Sequence, residues 1–323
     1  MKLRVFVSRP IPASVVDALK ERCEVQVHPH DTALKPPQLG EACREVAGLL
    51  AVGVRVNEEV LGQAPRLKVV ANCGVGYDNI DVEACTRRGI VVTNTPGVLT
   101  DTTADLAFAL LLGVARRTVE NDHYVRAGKW QKWEFGTMWG KDVHHKTLGI
   151  YGFGRIGQAM ARRGRGFGMN ILYHSRRRAE AAIEAEFSAR YIDSETLLRE
   201  SDFLSLHIPM TPETHRLIGT RELAMMKPTA FLINTARGKV VDEEALVEAL
   251  QSRRIAGAGL DVFEHEPHVR PELLKLENVV LAPHVGSATG ETRLKMAALA
   301  AENLLAALDG RCPPNVVNPE AFK

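Results

Sequence analysis

The sequence is poor in cysteine, carries no dominant charge and contains no long apolar run, and each lack excludes a class of protein. Its five cysteines, Cys23, Cys43, Cys73, Cys85 and Cys312, are odd in number, widely spaced and without a CxxC pair. That pattern argues against a disulfide framework and for reduced thiols in a reducing compartment. Lysine and arginine total 41 against 39 aspartate and glutamate, so no global field recruits nucleic acid or an acidic membrane surface. No apolar stretch approaches the roughly 20 residues that a membrane helix needs. The amino terminus reaches Arg9 and Pro10 too soon for the apolar region of a signal peptide. The expectation is a cytoplasmic protein that engages neither membrane nor nucleic acid.

What is present is a chain long enough for two cores. At 323 residues, 45% hydrophobic and 25% charged, it has the composition of a globular protein and more length than one ordinary domain uses. Short β-branched runs alternate with helical stretches, the pattern of parallel α/β architecture. The strand-like runs fall at 3–7, 24–27, 48–52, 67–71 and 90–93, then at 148–151, 170–173, 203–207, 230–234, 258–262 and 279–282. Two long amphipathic stretches, 102–117 and 291–308, stand apart from this alternation. The expected organisation is a substrate domain built from residues 1–99 and 288–323, interrupted by a dinucleotide-binding domain at 100–287. A cleft is expected between them. Residues 128–142 carry Trp130, Trp133 and Trp139 and are too aromatic for a plain linker. They suit either buried packing or a subunit contact. Arg162, Arg163 and Arg165 read as a solvated helix face.

The strongest local signal is Gly152-Phe153-Gly154-Arg155-Ile156-Gly157, a GxGxxG turn between the apolar run Leu148-Gly149-Ile150-Tyr151 and a helical one. Gly152 allows the tight turn, Gly154 lets backbone approach a pyrophosphate, and Gly157 lets the helix pack close to the strand. The N–H groups at the helix start then face the phosphates. An NAD enzyme usually places Asp or Glu about 20 residues further on, to bond the ribose 2′-hydroxyl. Here the next strand-like run ends in His174-Ser175-Arg176-Arg177-Arg178, with no acid. A hydroxyl and guanidinium groups suit a 2′-phosphate, so NADP is expected, NADPH preferred over NADH, on Ser175, Arg176 and Arg177.

Three later runs each end a strand, the edge where open α/β sheets place ligands. They supply Arg237, then Glu264 and Glu266, then His284. Reduction of a 2-keto acid needs these kinds of group. Arginine grips the carboxylate as a planar fork, a histidine protonates the carbonyl oxygen, and a carboxylate keeps that imidazole charged. Spacing alone does not choose between Glu264 and Glu266. Singly, each group has a plainer explanation as a surface cation, a solvated acid or a core histidine.

With these runs, the sequence resembles the D-isomer-specific 2-hydroxyacid dehydrogenases over essentially its whole length. The resemblance is carried by Asn72-Cys73-Gly74-Val75-Gly76-Tyr77-Asp78, the GxGxxG turn, Pro209-Met210-Thr211-Pro212-Glu213-Thr214, Asn234-Thr235-Ala236-Arg237-Gly238, Asp261-Val262-Phe263-Glu264-His265-Glu266-Pro267 and Pro283-His284. It is most similar to the bacterial glyoxylate/hydroxypyruvate reductases that also reduce 2-ketogluconate, through residues 142–150 and 286–293. The resemblance implies two doubly wound parallel sheets, a Rossmann domain inserted into a flavodoxin-like substrate domain. It also implies roles. Arg237 binds the substrate carboxylate and carbonyl, His284 is the general acid, and Glu266 rather than Glu264 pairs with it. Val75 and Gly76 offer N–H groups to the carboxylate. Asp261 holds the nicotinamide carboxamide, and Thr103, Pro209, Thr214, Thr235 and Gly286 join the cofactor site. Family members are commonly dimers in which the tryptophan-rich segment reaches the partner, so Trp133 is expected to shape the neighbour's pocket. Two other activities fit the scaffold: a dinucleotide-sensing corepressor, and oxidation of phosphite or formate. The first goes with an extended partner-binding segment, not expected after Phe322-Lys323, and phosphite oxidation with a lysine where this chain has Val75.

Overall fold

The computed structural model describes residues 2–322. The chain forms two compact units, Met1–Leu99 with Ser287–Lys323, and Thr100–Gly286. The first begins with β1 (Leu3–Val7), α1 (Ala13–Arg22), β2 (Cys23–Val27), α2 (Pro36–Ala42), β3 (Gly48–Ala51), α3 (Glu58–Gln63), β4 (Val69–Asn72), α4 (Val82–Arg87) and β5 (Val91–Thr93). These strands form one parallel sheet in the order β2-β1-β3-β4-β5. That is the flavodoxin-like doubly wound order, with its switch point between β1 and β3.

The second unit runs through α5 (Thr100–Ala115), α6 (Thr118–Arg126), β6 (Thr147–Tyr151), α7 (Arg155–Gly166), β7 (Asn170–His174), α8 (Ala181–Phe187), β8 (Ala189–Tyr191), α9 (Ser194–Glu200), β9 (Phe203–Leu206), α10 (Thr220–Met225), β10 (Phe231–Asn234), α11 (Glu243–Gln251), β11 (Gly257–Leu260) and β12 (Val279–Leu281). Its seven strands are all parallel, in the order β12-β11-β10-β9-β6-β7-β8, the Rossmann arrangement with one strand added. The chain then returns to the first unit as α12 (Gly290–Leu308).

The near-continuous apolar strands follow from covering both faces of each sheet. In the first unit Val5, Val7, Leu50, Val69 and Ala71 face one side and pack against Ala297, Ala300, Ala301 and Leu304 of α12. Phe6, Leu49, Val70 and Val92 face the other, against Leu39, Val60, Leu61 and Ala84. The α12 residues fall at helical spacing, which places them on one stripe. In the second unit Leu148, Ile150, Ile171, Tyr173 and Ile233 pack on Ala107, Leu110 and Leu111 of α5. Leu204, Leu206, Leu232 and Leu260 pack on Leu197, Leu223, Leu246 and Leu250 across the sheet.

Two features depart from the sequence reading, and a third bears on a choice it left open. The edge strand β8 was not expected; it has three residues, too few for alternation to register, and follows Ser188 in the left-handed region at φ +48°. Arg163 is not part of a solvated face. Its side chain is 19% exposed and ties α7 to α5 through Asp101 and Asp105. The tryptophan-rich segment is not buried within the chain: Trp130 is 56% exposed, Trp133 75%, Phe135 78% and Trp139 66%. The α6 helix before it also buries no residue. Among the described residues, no helix is long and apolar enough to cross a membrane.

Candidate active site

The site in the second unit begins at the carboxyl end of β6, beside β9 at the switch point of the sheet. Gly152 sits at φ +97°, a conformation that favours glycine, and a side chain there would meet the His207 carbonyl at 2.5 Å. Gly157 packs so closely that a Cβ would lie 2.1 Å from the Gly152 oxygen. Gly154 is different, because a Cβ there would meet nothing within 4 Å. It caps α7 without a side-chain bond, so Arg155 and Ile156 open the helix toward free space. Glycine at 154 is thus unexplained by the protein's own packing and suits close approach of a phosphate.

Surrounding groups fit a dinucleotide. Ser175, just past β7, accepts a hydrogen bond from the Phe153 N–H at 3.4 Å, holding the two strand ends together. Arg176 and Arg177 are exposed and form no ion pair among the described residues, whereas Arg178 is held by Glu184 at 2.8 Å. Glu184 also accepts from the Tyr173 hydroxyl at 2.5 Å. Its bonds to Arg178 and Tyr173 pull its carboxyl down to about 2. After β9, Thr214 Oγ1 donates to the Pro209 carbonyl at 2.7 Å and accepts from the Thr211 N–H, closing a turn. Thr235, at the end of β10, is buried, and its hydroxyl finds no partner among the described residues. A buried hydroxyl without a partner is costly, and a ligand atom would satisfy it. Thr103 of α5 is buried beside Gly286.

The acid–base pair lies at the ends of β11 and β12. His284 Nδ1 is 2.7 Å from Glu266 Oε2. The other Glu266 oxygen accepts from the Phe263 N–H at 3.0 Å. Burial pushes the Glu266 carboxyl upward, but the hydrogen bond and charge of His284, helped by Arg237, outweigh it and hold the group below its usual range. His284 itself sits at φ +54°, a strained backbone for a non-glycine residue. Asp261 secures it. The Asp261 carbonyl accepts from the His284 N–H at 2.8 Å, and its carboxylate accepts from Val285 at 2.7 Å and Gly286 at 2.8 Å. Burial raises the Asp261 carboxyl, these N–H bonds opposing. Each oxygen keeps a second lone pair for a further donor.

Arg237 follows β10 in a loop stapled by Asn234, whose side chain accepts from Ala236 N–H and donates to the Arg237 carbonyl, both at 3.0 Å. The arginine's own Nη1 donates to the Ala236 carbonyl at 2.7 Å. Gly238 then passes against the next strand end; a Cβ there would stand 1.9 Å from the Phe263 carbonyl carbon. The Arg237 and Glu266 loops are therefore fitted together at the backbone. Glu264 points elsewhere, to Arg216 at 2.8 Å. The geometry thus separates the two glutamates that spacing could not.

Val75 and Gly76 belong to the first unit. Their loop is held by its carbonyls: Asn72 donates to Gly74 at 3.2 Å and Gly76 at 2.8 Å, and Asn94 to Val75 at 2.9 Å. The Val75 and Gly76 N–H groups find no acceptor among the described residues, which leaves two donors for an anion. Trp133 lies with Phe135 in the exposed segment, their rings 6.5 Å apart.

Sequence reasoning did not single out Arg216 or Glu243, which support the Glu266 loop from below. Glu243 opens α11 and reads in sequence only as one more acid in a helix's first turn.

A Rossmann sheet with a phosphate-ready glycine turn and a carboxylate–imidazole pair on downstream strand ends defines the dehydrogenase class of α/β proteins. Residues 108–286 match the NAD binding domain of the D-isomer specific 2-hydroxyacid dehydrogenases. The chain belongs to that family. It is 55% identical to a glyoxylate reductase of Thermococcus litoralis, over 100% of this chain and 98% of that protein. It is 51% identical to one from Aeropyrum pernix, over 99% and 97%. Among solved structures, the TT0316 protein of Thermus thermophilus superposes with a TM-score of 0.92 at 47% identity, covering 98% of this chain and 100% of that one. An NADPH-dependent glyoxylate/hydroxypyruvate reductase of Sinorhizobium meliloti, in complex with NADP and malonate, gives 0.90 at 36%, covering 100% and 99%.

Proposed function

We propose that this protein reduces small 2-keto acids to D-2-hydroxy acids with NADPH, with glyoxylate and hydroxypyruvate as the leading substrates and 2-ketogluconate a further one. The observation that carries the reading is the 2.7 Å pair between His284 and Glu266, one strand end away from Arg237. The bound nicotinamide supplies the hydride. Arg237 grips the substrate carboxylate and polarises the carbonyl. His284, held through Nδ1 by Glu266, gives the proton on its other nitrogen to the carbonyl oxygen. Glu266, bonded to Nδ1, orients the ring for this transfer. Val75 and Gly76, in the first unit, keep two N–H groups available to an anion.

The preference for NADPH rests on Arg176 and Arg177, which are exposed and form no ion pair among the described residues, and on the lack of an acid after β7. The cofactor site comprises Thr103, Gly152, Gly154, Arg155, Ile156, Gly157, Ser175, Arg176, Arg177, Pro209, Thr214, Thr235, Asp261 and Gly286. We assign the exposed aromatic segment to a homodimer contact, with Trp133 shaping the partner's substrate pocket, and place the enzyme in the cytoplasm. A corepressor role is disfavoured by the complete acid–base pair, which binding alone does not require. The test is loss of NADPH absorbance with glyoxylate, hydroxypyruvate and 2-ketogluconate, repeated with NADH. Turnover of none of them would overturn the reading. Equal or better use of NADH would overturn the cofactor assignment alone.

A further inference from the structure

We propose that Glu243 is a positioning residue for the acid–base pair, acting through the backbone of the loop that carries Glu266. The inference rests on reading Glu266 and His284 as the proton-handling pair. Glu243 is the first residue of α11, 3% exposed, and its Oε1 accepts from the Glu264 N–H at 2.6 Å. An ionisable group buried to that degree is unusual unless it has a partner. Here the partner is a main-chain donor, and a charge-assisted bond to a backbone N–H is among the stronger hydrogen bonds a loop can have.

The bond has a mechanical consequence. Glu264 is adjacent to Phe263, whose N–H donates to Glu266 Oε1, and Glu266 Oε2 meets His284. Fixing the Glu264 amide therefore fixes the loop at the point from which Glu266 is aimed. A second tie runs parallel to the first. Arg216 bonds Glu264 Oε1 at 2.8 Å and pairs at 3.3 Å with Asp242, the residue that caps α11. Arg216 does this from a left-handed backbone at φ +50°, its N–H held by the Lys239 carbonyl at 2.8 Å. Gly238 closes the third side against Phe263. The first turn of α11 is thus a platform for the Glu266 loop, which it holds through the buried Glu243 carboxylate and, by way of Asp242, the Arg216 guanidinium, with Gly238 packed against Phe263 beside them. The other Glu243 oxygen lies 3.7 Å from Arg270 Nε and accepts no hydrogen bond among the described residues, and burial pushes the carboxyl upward.

Two variants separate positioning from bulk stability. Glu243→Gln keeps an acceptor oxygen, whereas Glu243→Leu fills the same space and leaves the Glu264 N–H without a partner. The first readout is the NMR resonance of the His284 Nδ1 proton, which requires no substrate. It is expected at the wild-type position in Glu243→Gln and shifted or broadened in Glu243→Leu. The second is kinetic: Glu243→Leu should lose on the order of tenfold in kcat with the cofactor KM within about twofold, and Glu243→Gln should recover wild-type turnover. Because Glu243 acts through Glu266, the double variant Glu243→Leu/Glu266→Gln should be no slower than Glu266→Gln alone. A folded Glu243→Leu protein with unchanged resonance and kcat would overturn the proposal, as would additive losses in the double variant. Should Glu243→Leu not fold, Arg216→Gln, at a half-exposed side chain, is expected to perturb the same resonance, and an unchanged signal there counts against the platform. If the wild type reduces no 2-keto acid, the proposed function fails while the resonance still decides this inference.

Discussion

His284 combines a strained left-handed backbone with a half-exposed ring bonded to a carboxylate at 2.7 Å. Strain of that kind persists only where neighbours over-determine it, and Asp261 does so with three accepted hydrogen bonds. His284→Ala should lower kcat on the order of a hundredfold or more, the usual size of a general acid term, with little change in cofactor KM. Near-normal turnover would remove histidine from the chemistry. The Glu266 carboxyl lies below the range of an unfolded glutamate, so its ionised form stabilises the folded chain above about pH 4.5, and this contribution fades as pH falls through the depressed value. Urea midpoints followed downward from that pH should therefore drop less steeply for Glu266→Gln than for the wild type. The arginines after β7 differ from one another in the same local way. Arg178 is occupied by Glu184 and Arg176 is not. Arg176→Gln is expected to lower kcat/KM for NADPH by roughly tenfold to a hundredfold, the size of one charge-assisted hydrogen bond, and to leave NADH unchanged. Arg178→Gln should leave the ratio of the two cofactors as it was.

At the scale of elements, the β6–α7 turn allows packing and ligand approach to be separated. Gly157→Ala would drive a methyl to 2.1 Å from the Gly152 oxygen, so the helix must move off the strand. Overpacking of this kind costs about 1–3 kcal/mol, and the melting temperature should fall even without cofactor. Gly154→Ala meets nothing, so the apo protein should melt as the wild type does while cofactor affinity collapses. Equal cofactor binding by Gly154→Ala would place the pyrophosphate elsewhere. The glycine pattern was legible in the sequence because each glycine answers a local steric demand. The supports of the Glu266 loop were not. Glu243 and Arg216 meet that loop only through tertiary pairing across 21 and 48 residues, and neither spacing follows a local period. The edge strand β8 was missed for a related reason, since three residues gain strand character only by pairing with β7.

For the whole molecule, Trp130, Trp133, Phe135 and Trp139 are the most exposed aromatic side chains among the described residues, and they follow a helix that buries nothing. Aromatic clusters of this sort carry much of the energy of stable interfaces. Sedimentation equilibrium should find a dimer, and Phe135→Ser combined with Trp139→Ser should raise its dissociation constant at least about tenfold. A wild-type monomer at assay concentrations would remove the dimer assignment. The sequence by itself determined the parallel α/β class, the interruption of one domain by another, the glycine turn and the three strand ends that carry Arg237, Glu266 and His284. Those features depend on hydrophobic period and on local conformational demands, which act over a few residues. Spacing left Glu264 and Glu266 open and the family resemblance favoured Glu266, but only the tertiary structure decided that Glu243 and Arg216 hold the Glu266 loop, and that the tryptophan-rich segment lies outside the chain's own core. These depend on which strand ends fold next to one another, and a hydrogen bond between distant residues leaves no period in the sequence.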